Sequence, residues 1–518
     1  MSNKKSQLKS GVILNYVNIF VGTLIPIFYT PVMLRLLGQN EYGLYKLSSS
    51  FTSYLGLISF GIGSAVSRYL IKSRTEKGQD EEEKYFGLFI SIFRIIALIT
   101  FVVGIILITS IPLWYGNSLS DDELNRMRII VFLMVCNTCV GFISSPYTSA
   151  VATHERFVFL QVINIITTCV SPIVNLIVLF LGFKSIGMTV SSLVIAILSR
   201  YIYYFYVKKS IGLIPNYKEK PKGVLKEILV FSFWIFVANV VAQLYNATDT
   251  FIIGMVPKLA TAGVAIYNVG MVFISMTHSL TTGISTVISP RTQKMVFSGV
   301  DSTELTDLAI RVGRIQGFIV TLIVTGFIAF GRQFIEFYAG YEYKDAYWVA
   351  IVVLIPNTIP LLQSVCLSII IAQNKHKFRS IVYLGIAIAN VIGTWFAVHK
   401  WGIIGAAIVT GVALVIGQGF VMNWYYQVKT GLQMGRFWKE VSKLFLIPIL
   451  MCVITLYISK YVNFYSIPIF IIGVVVYTII YCLINWLVVM NNYEKSIFIV
   501  PIKKVIYNLK GNKNDSPN

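Results

Sequence analysis

The sequence predicts an all-α integral membrane protein. It reads as about fourteen transmembrane helices: two six-helix lobes around a central cavity, plus a C-terminal helix pair. Three observations carry that expectation. The 518 residues are 56% hydrophobic but only 13% charged, with mean hydropathy +0.74, against roughly a quarter charged in soluble domains. Apolar runs of about 20 residues, enough for a helix to cross a bilayer, recur along the chain. No alternating ten-residue pattern suggests a β-barrel, and isolated spans must be helical to satisfy their own backbone in hydrocarbon.

Taken in order, the first span runs from about Val12 to Leu34 and carries Asn15, Asn18 and Gly22 on its polar side. It is longer than a signal-peptide core and reads as a retained span. The second, centred near Leu57, presents Tyr45, Ser49, Thr52, Gly56, Ser59 and Gly63. Lys46 lies about one turn inside its outer end, either snorkelling to water or offering a cation in a cavity mouth. The third, near Val102, has Arg94 at its inner edge. A short outer loop, about Thr109–Arg126, leads to the fourth span near Val140. Cys136 and Cys139 there form a CxxC without a second Cys/His pair at zinc spacing. All six cysteines lie in apolar runs and read as small buried residues.

The fifth span, near Thr168, aligns Gln161, Asn164, Thr168, Ser171 and Asn175; the sixth centres near Ile195. After a polar connector at 207–227, the seventh span, near Val240, places Asn239, Gln243, Asn246 and Thr250 on one face by their four–three–four spacing. Asp249 lies one or two turns from its outer end and is the clearest carboxylate within a span, where charge is rare and functional by default. Its bland reading is an interfacial residue. The eighth span, near Ile274, shows Ser275, His278, Thr282, Ser285 and Ser289. His278, the sole histidine well inside a span, fits either a hydrogen-bonded core residue or a proton relay. Spans nine to fourteen centre near Thr321, Leu354, Ile388, Val412, Ile454 and Val474. The segment 491–518 reads as a cytoplasmic tail.

Orientation follows from lysine and arginine. With the N-terminus cytoplasmic, about 31 of the 43 fall on cytoplasmic segments and about 9 on the opposite loops, which places both termini inside. The net charge of +21 belongs to this bias, and nucleic acid is not an expected partner. Small and hydroxyl residues alone would mark helix packing. Asn and Gln stripes on spans from both halves point to a shared polar cavity, because amides cost more to bury dry. No GxxxxGK[ST], HExxH or GxSxG is present and no outer loop could house a catalytic domain, so an enzyme is not expected.

The halves echo each other weakly. Glu41-Tyr-Gly-Leu-Tyr45 is matched by Thr261-Ala-Gly-Val-Ala-Ile-Tyr267, and Asn175–Gly187 by Asn390–Gly405. Six spans per set is an even number, so the repeats would be parallel, with the site between them. The expected organisation is an N-lobe at 1–206, a linker at 207–227, a C-lobe at 228–426, a helix pair at 427–490 and the tail at 491–518.

Leu34-Arg-Leu-Leu-Gly-Gln-Asn-Glu-Tyr-Gly-Leu-Tyr45 and Phe60-Gly-Ile-Gly-Ser-Ala-Val-Ser-Arg-Tyr69 together resemble the first helical hairpin of bacterial polysaccharide-biosynthesis flippases. These are the Wzx-like oligosaccharide translocases of the MATE/MurJ-type (MOP) exporter superfamily. Asp249–Gly254, Ser289-Pro-Arg291 and Ile404–Ala407 are similar to further short motifs of that family, in the same order along about residues 10–490. The resemblance implies a polyprenyl-pyrophosphate-linked oligosaccharide as substrate, a cationic cavity with alternating access, the bacterial cytoplasmic membrane as location, and polysaccharide assembly proteins as neighbours. In that frame Lys46 and Arg94 suit phosphates. Asn239, Gln243, Asn246, Gln161 and Asn164 suit sugar hydroxyls, and Asp249 and His278 suit coupling to H+ or Na+; no other cofactor is expected. The chain departs from the lipid-II-flippase relatives, which carry several arginines in their first two helices. The alternatives are a cation-coupled exporter of small compounds, which asks for acidic cavity residues; an intramembrane polymerase or ligase, which asks for a large outer loop; and a structural scaffold, which needs no polar stripes.

Overall fold

The structure is a computed structural model that describes residues 2–219, 221, 223–496 and 499. Its description of side chains leaves out 2–9, 12, 234, 246, 287, 376 and 377. Among the described residues every regular element is a helix. Twelve helices among the described residues are long and apolar enough to cross a membrane. A pair bent by 47°, Ala346–Leu362 with Ser364–Ala372, makes a thirteenth crossing. The 53-residue segment Phe378–Thr430 contains Gly402 at φ 63°, ψ −147°, outside helical backbone space and open to glycine alone at little cost. Divided there, the segment is two crossings and the total is fourteen, as the apolar runs predict.

The chain forms two compact units. Unit 1 comprises Met1–Ser279, Tyr338–Val353 and Lys377–Ala413; unit 2 comprises Leu280–Phe337, Leu354–His376 and Leu414–Asn518. In unit 1, α1 (Ser2–Leu37) gives way to α2 (Gln39–Ser53) at Gly38. A left-handed Phe60–Gly61 step then leads into α3 (Ile62–Lys77). α4 (Gln79–Tyr115) and α5 (Asp121–Thr153) follow, α5 opening with a capping box in which Ser120 and Glu123 satisfy each other's backbone N–H. Then come α6 (Phe157–Phe180), α7 (Lys184–Tyr206), α8 (Val224–Met255) and α9 (Ala260–Phe297), whose second part belongs to unit 2. The polar stretches 68–84 and 290–309 are mostly helical, extending α3, α4, α9 and the following helix, α10 (Ser302–Tyr338), beyond their apolar parts.

The core of unit 1 at the α3–α4 end is aromatic and aliphatic, with Ala65, Val66, Leu70, Phe86 and Phe89 fully buried. At the opposite end, Gly43 lets two chains meet: a Cβ there would lie 1.8 Å from the Thr261 carbonyl oxygen. The two stretches that echo each other in sequence, 41–45 and 261–267, are thus packed together.

Unit 2 contains α10 (Ser302–Tyr338) up to Phe337, the bent pair α11 (Ala346–Leu362) and α12 (Ser364–Ala372) from Leu354 on, α14 (Asn423–Thr430), α15 (Met434–Ile458) and α16 (Ile467–Ile484). α13 (His376–Leu414) supplies the two strokes on either side of Gly402 and belongs almost wholly to unit 1. Tyr477 and Tyr481 of α16 bond Thr325 and Thr321 of α10, each at 2.7 Å. Arg314, in a helix expected to be apolar, holds Glu494 in a buried bidentate pair at 2.5 and 3.1 Å and also donates to the Glu440 and Val489 carbonyls. The cysteines are all free; Cys366 and Cys452 are buried as expected, but Cys136, Cys139 and Cys169 are only half-buried and Cys482 stands exposed on α16.

Candidate functional site

α8 continues unbroken to Met255, so Asp249 lies within a helix and not on a loop. Its carboxylate is 3% exposed. Three hydroxyls donate to it: Tyr267 of α9 and Thr410 of α13 (2.7 Å) to Oδ2, and Thr394 of α13 (3.1 Å) to Oδ1. Asn390 closes the ring. Its amide donates to Thr410 at 3.3 Å and its carbonyl lies 3.1 Å from the Thr394 hydroxyl. Among the described residues no Lys, Arg or His comes within ion-pair distance of Asp249.

This arrangement accommodates two charge states. A threonine hydroxyl has one hydrogen, yet Thr394 has two acceptors in reach. With Asp249 ionised, Thr394 donates to it. With Asp249 protonated at Oδ1, the acid donates to Thr394, whose hydrogen turns to Asn390. No polar atom is orphaned either way. A buried carboxylate without a counter-charge is costly, by several kcal/mol, and two remedies exist: a proton, or a hard monovalent cation among these oxygens.

The opposite side of α8 forms a polar seam with α2. Ser50 donates to the Ala247 carbonyl at 2.7 Å, Gln243 donates to Ser53, and Tyr54 meets Thr248 at 2.9 Å. Ser48 and Ser50, which flank the predicted stripe residue Ser49, are buried; Ser48 bonds its own helix at Leu44. An apolar groove of about 810 Å³ opens beside this seam, walled by Phe51, Trp114, Phe251 and Trp395.

The other predicted residues are dispersed. Lys46 is half-buried, its ammonium 5.6 Å from the centre of the Tyr42 ring. Arg94 is exposed on α4 and touches the Tyr217 hydroxyl at 3.4 Å. Asn239 and Asn164 are exposed, and Gln161 is half-buried with its carbonyl oxygen unbonded. His278 is exposed on α9. The side chain of Asn246 lies outside the described residues. On α6, Asn175 and Thr168 serve packing: Asn175 accepts from Ser191 (2.5 Å) and reaches Tyr29 (3.4 Å), and Thr168 reaches Asn18 (3.4 Å).

A second polar constellation lies where α2 begins. Glu41, 7% exposed, accepts from Arg126 at 2.6 Å and from Ser185. It faces a cavity of about 720 Å³ shared with Gln39, Glu123 and Lys184. Tyr267, Thr394, Thr410, Arg126 and Ser185 are residues that sequence reasoning does not single out for these roles. Tyr267 and Asn390 did carry a signal, as members of the two internal echoes.

Comparison with known proteins agrees with this architecture. Residues 8–296 match the family model described as polysaccharide biosynthesis protein. A Shigella flexneri protein whose name assigns it O-antigen transport is 22% identical over 420 residues, covering 78% of this chain and 94% of its own length. Among solved structures, the lipid II flippase MurJ in an inward closed conformation superposes with TM-score 0.72 at 17% identity, covering 95% of this chain and 99% of MurJ. The Vibrio cholerae MATE transporter VcmN in its bent form gives TM-score 0.53 at 15% identity, covering 86% of this chain and 100% of VcmN.

Proposed function

The chain belongs to the polysaccharide biosynthesis protein family, and from that premise we propose that it flips polyprenyl-pyrophosphate-linked oligosaccharide repeat units across the bacterial cytoplasmic membrane by alternating access. It acts as a multi-pass transporter rather than an enzyme, with both termini cytoplasmic, supplying surface-polysaccharide assembly proteins on the outer side. The moving bodies are the lobes 1–206 and 228–426. A pyrophosphate and its sugars cannot enter hydrocarbon unaided, so the protein must replace their hydration while the polyprenyl tail stays in lipid. Lys46 and Arg94 attract the phosphates, and Asn239, Gln243, Asn246, Gln161 and Asn164 take sugar hydroxyls.

The observation that supports coupling most directly is the enclosed carboxylate of Asp249. It is one charge, buried among hydroxyls from α9 and α13, whose ring of hydrogen bonds is complete with or without a proton. Binding of H+ or Na+ there biases the two access states, because the ion interacts differently with each; His278 is the second candidate. The same carboxylate favours a second reading, cation-coupled export of a small compound.

The test is reconstituted flipping of a polyprenyl-linked oligosaccharide, with and without a proton or sodium gradient. In cells, loss of the chain is expected to strand that intermediate on the cytoplasmic leaflet. If the intermediate reaches the outer leaflet at the normal rate in the deletion strain, and purified protein moves none, the oligosaccharide reading is refuted.

A further inference from the structure

Two arginines at one end of unit 1 have aromatic neighbours and no acid. Arg200 on α7 lies with its guanidinium carbon 3.8 Å from the centre of the Tyr147 ring and 5.6 Å from that of Tyr204. Its Nη1 is buried and has no hydrogen-bond partner. Arg94 on α4 lies 5.3 Å over the Tyr217 ring and makes one long hydrogen bond, 3.4 Å, to its hydroxyl. The Tyr217 hydroxyl is within electrostatic reach of both guanidiniums and of Tyr147, so the two arginines and three tyrosines form one cluster.

The α4 carboxylates Glu81 and Glu82 and the connector's Glu219 have other cationic neighbours. Lys84 holds Glu219 at 2.7 Å and Glu81 at 3.5 Å, and Glu82 lies 3.8 Å from Arg74. Among the described residues no carboxylate reaches Arg94 or Arg200. Ring faces attract the cations but cannot accept the in-plane hydrogens of a guanidinium fork, which carries five donors. The fork matches a phosphate.

The surroundings say from where such a phosphate arrives. Beyond Arg94, Ile95, Leu98, Val102 and Ile106 are all at least half exposed. Before Arg200, Val194 and Leu198 are likewise exposed. On the other side stand exposed Lys208, Lys209 and Lys218. The guanidiniums therefore sit where a lipid-facing surface meets a basic, polar one, the depth at which interfacial tyrosines and lipid headgroups gather.

We propose that Arg94 and Arg200, walled by Tyr147, Tyr204 and Tyr217, bind the phosphate of a membrane lipid where α4 and α7 leave the hydrocarbon. The ligand chemistry is a phosphate ester on a lipid, presented either by a polyprenyl carrier or by a bulk anionic phospholipid. The inference rests on the membrane-spanning fold and not on transport.

The experiment is native mass spectrometry of the purified full-length chain in detergent, titrated separately with undecaprenyl phosphate, phosphatidylglycerol and diacylglycerol. Both phosphate lipids, or one of them, are expected to be retained and diacylglycerol not. Preference for undecaprenyl phosphate assigns the site to the carrier; equal or better retention of phosphatidylglycerol assigns it to bulk lipid. Arg200→Gln and Arg94→Gln are each expected to weaken retention by roughly five- to tenfold, with Arg200→Lys between, since it keeps the charge and loses the fork. Arg94 is exposed, so its variant stays informative should the Arg200 variant misfold. Wild-type retention by Arg94→Gln, or equal retention of diacylglycerol, overturns the proposal. Because no step requires flipping, failure of the transport reading leaves this result unaffected; failure here withdraws Arg94 from the phosphate contacts proposed above and leaves flipping itself to its own reconstituted assay.

Discussion

Replacing Asp249 by asparagine separates coupling from folding. The network specifies how the amide fits. Its oxygen takes the place of Oδ2 and still accepts from Tyr267 and Thr410; its nitrogen takes the place of Oδ1 and donates to Thr394, whose hydrogen then turns to the Asn390 carbonyl 3.1 Å away. Every partner keeps a bond, so Asp249→Asn should change stability by less than about 1 kcal/mol. Asp249→Leu is the contrast. Thr394 and Thr410 retain Asn390, but the buried Tyr267 hydroxyl loses its acceptor, at a cost of about 1–3 kcal/mol. For transport the order reverses. On the proposed coupling, one carboxylate would bind one monovalent cation per cycle, and moving one charge through 100 mV is worth about 2.3 kcal/mol, about a fiftyfold bias. In proteoliposomes the wild type should therefore show gradient-dependent movement of the lipid-linked oligosaccharide, and Asp249→Asn should show only the gradient-independent rate while its thermal unfolding in detergent matches wild type. A gradient response in Asp249→Asn equal to that of wild type would refute the assignment of coupling to this carboxylate.

Three further outcomes are expected. Gly43→Ala puts a methyl 1.8 Å from the Thr261 oxygen, an overlap that side-chain motion cannot relieve; it should cost at least about 1–3 kcal/mol, read as a lowered midpoint in thermal unfolding, and an unchanged midpoint would contradict the contact. Arg314→Leu or Glu494→Leu alone leaves a buried partner charge and should cost about 3–5 kcal/mol, whereas the double variant should be more stable than either single one in the same assay. Asn164→Cys and Asn239→Cys, in a background lacking the native cysteines, should react with a membrane-impermeant thiol reagent; complete protection of both from either side would place them in lipid or protein instead of water.

The crossings were legible because hydrocarbon imposes length and apolarity on each helix separately, and neither depends on a partner. Even the break at Gly402 has a counterpart in the sequence: His399, Lys400 and Trp401 separate two apolar runs. Asp249 was legible for the converse reason, as a lone carboxylate at the end of an apolar run. Its partners were not. Tyr267, Thr394 and Thr410 are common residues in membrane helices, and only the approach of α9 and α13 to α8 distinguishes them. The sequence does not single out Arg314, because it lies close to a polar connector, where arginine needs no explanation, while its acid lies 180 residues onward. Glu41 carried a motif, but nothing in its neighbourhood names Arg126 or Ser185.

The polar stripes illustrate how one sequence signal divides into two physical causes. On α6, Asn175 and Thr168 turn toward α7 and α1 and spend their polar groups on Ser191, Tyr29 and Asn18; this is packing, in which hydrogen bonds join neighbouring helices. Asn164, on the same helix, is exposed. On α8 the same division recurs: Gln243 bonds Ser53 of α2, while Asn239, one turn earlier, is exposed. An amide projecting from a membrane-crossing helix finds either lipid, which offers it no hydrogen bond and makes the exposure cost several kcal/mol, or water and polar solute. Spacing along a helix cannot separate the packed amide from the exposed one, since both obey the same period. Their partners do: Asn175 and Gln243 bond neighbouring helices, whereas Asn164 and Asn239, on the same two helices, stand exposed.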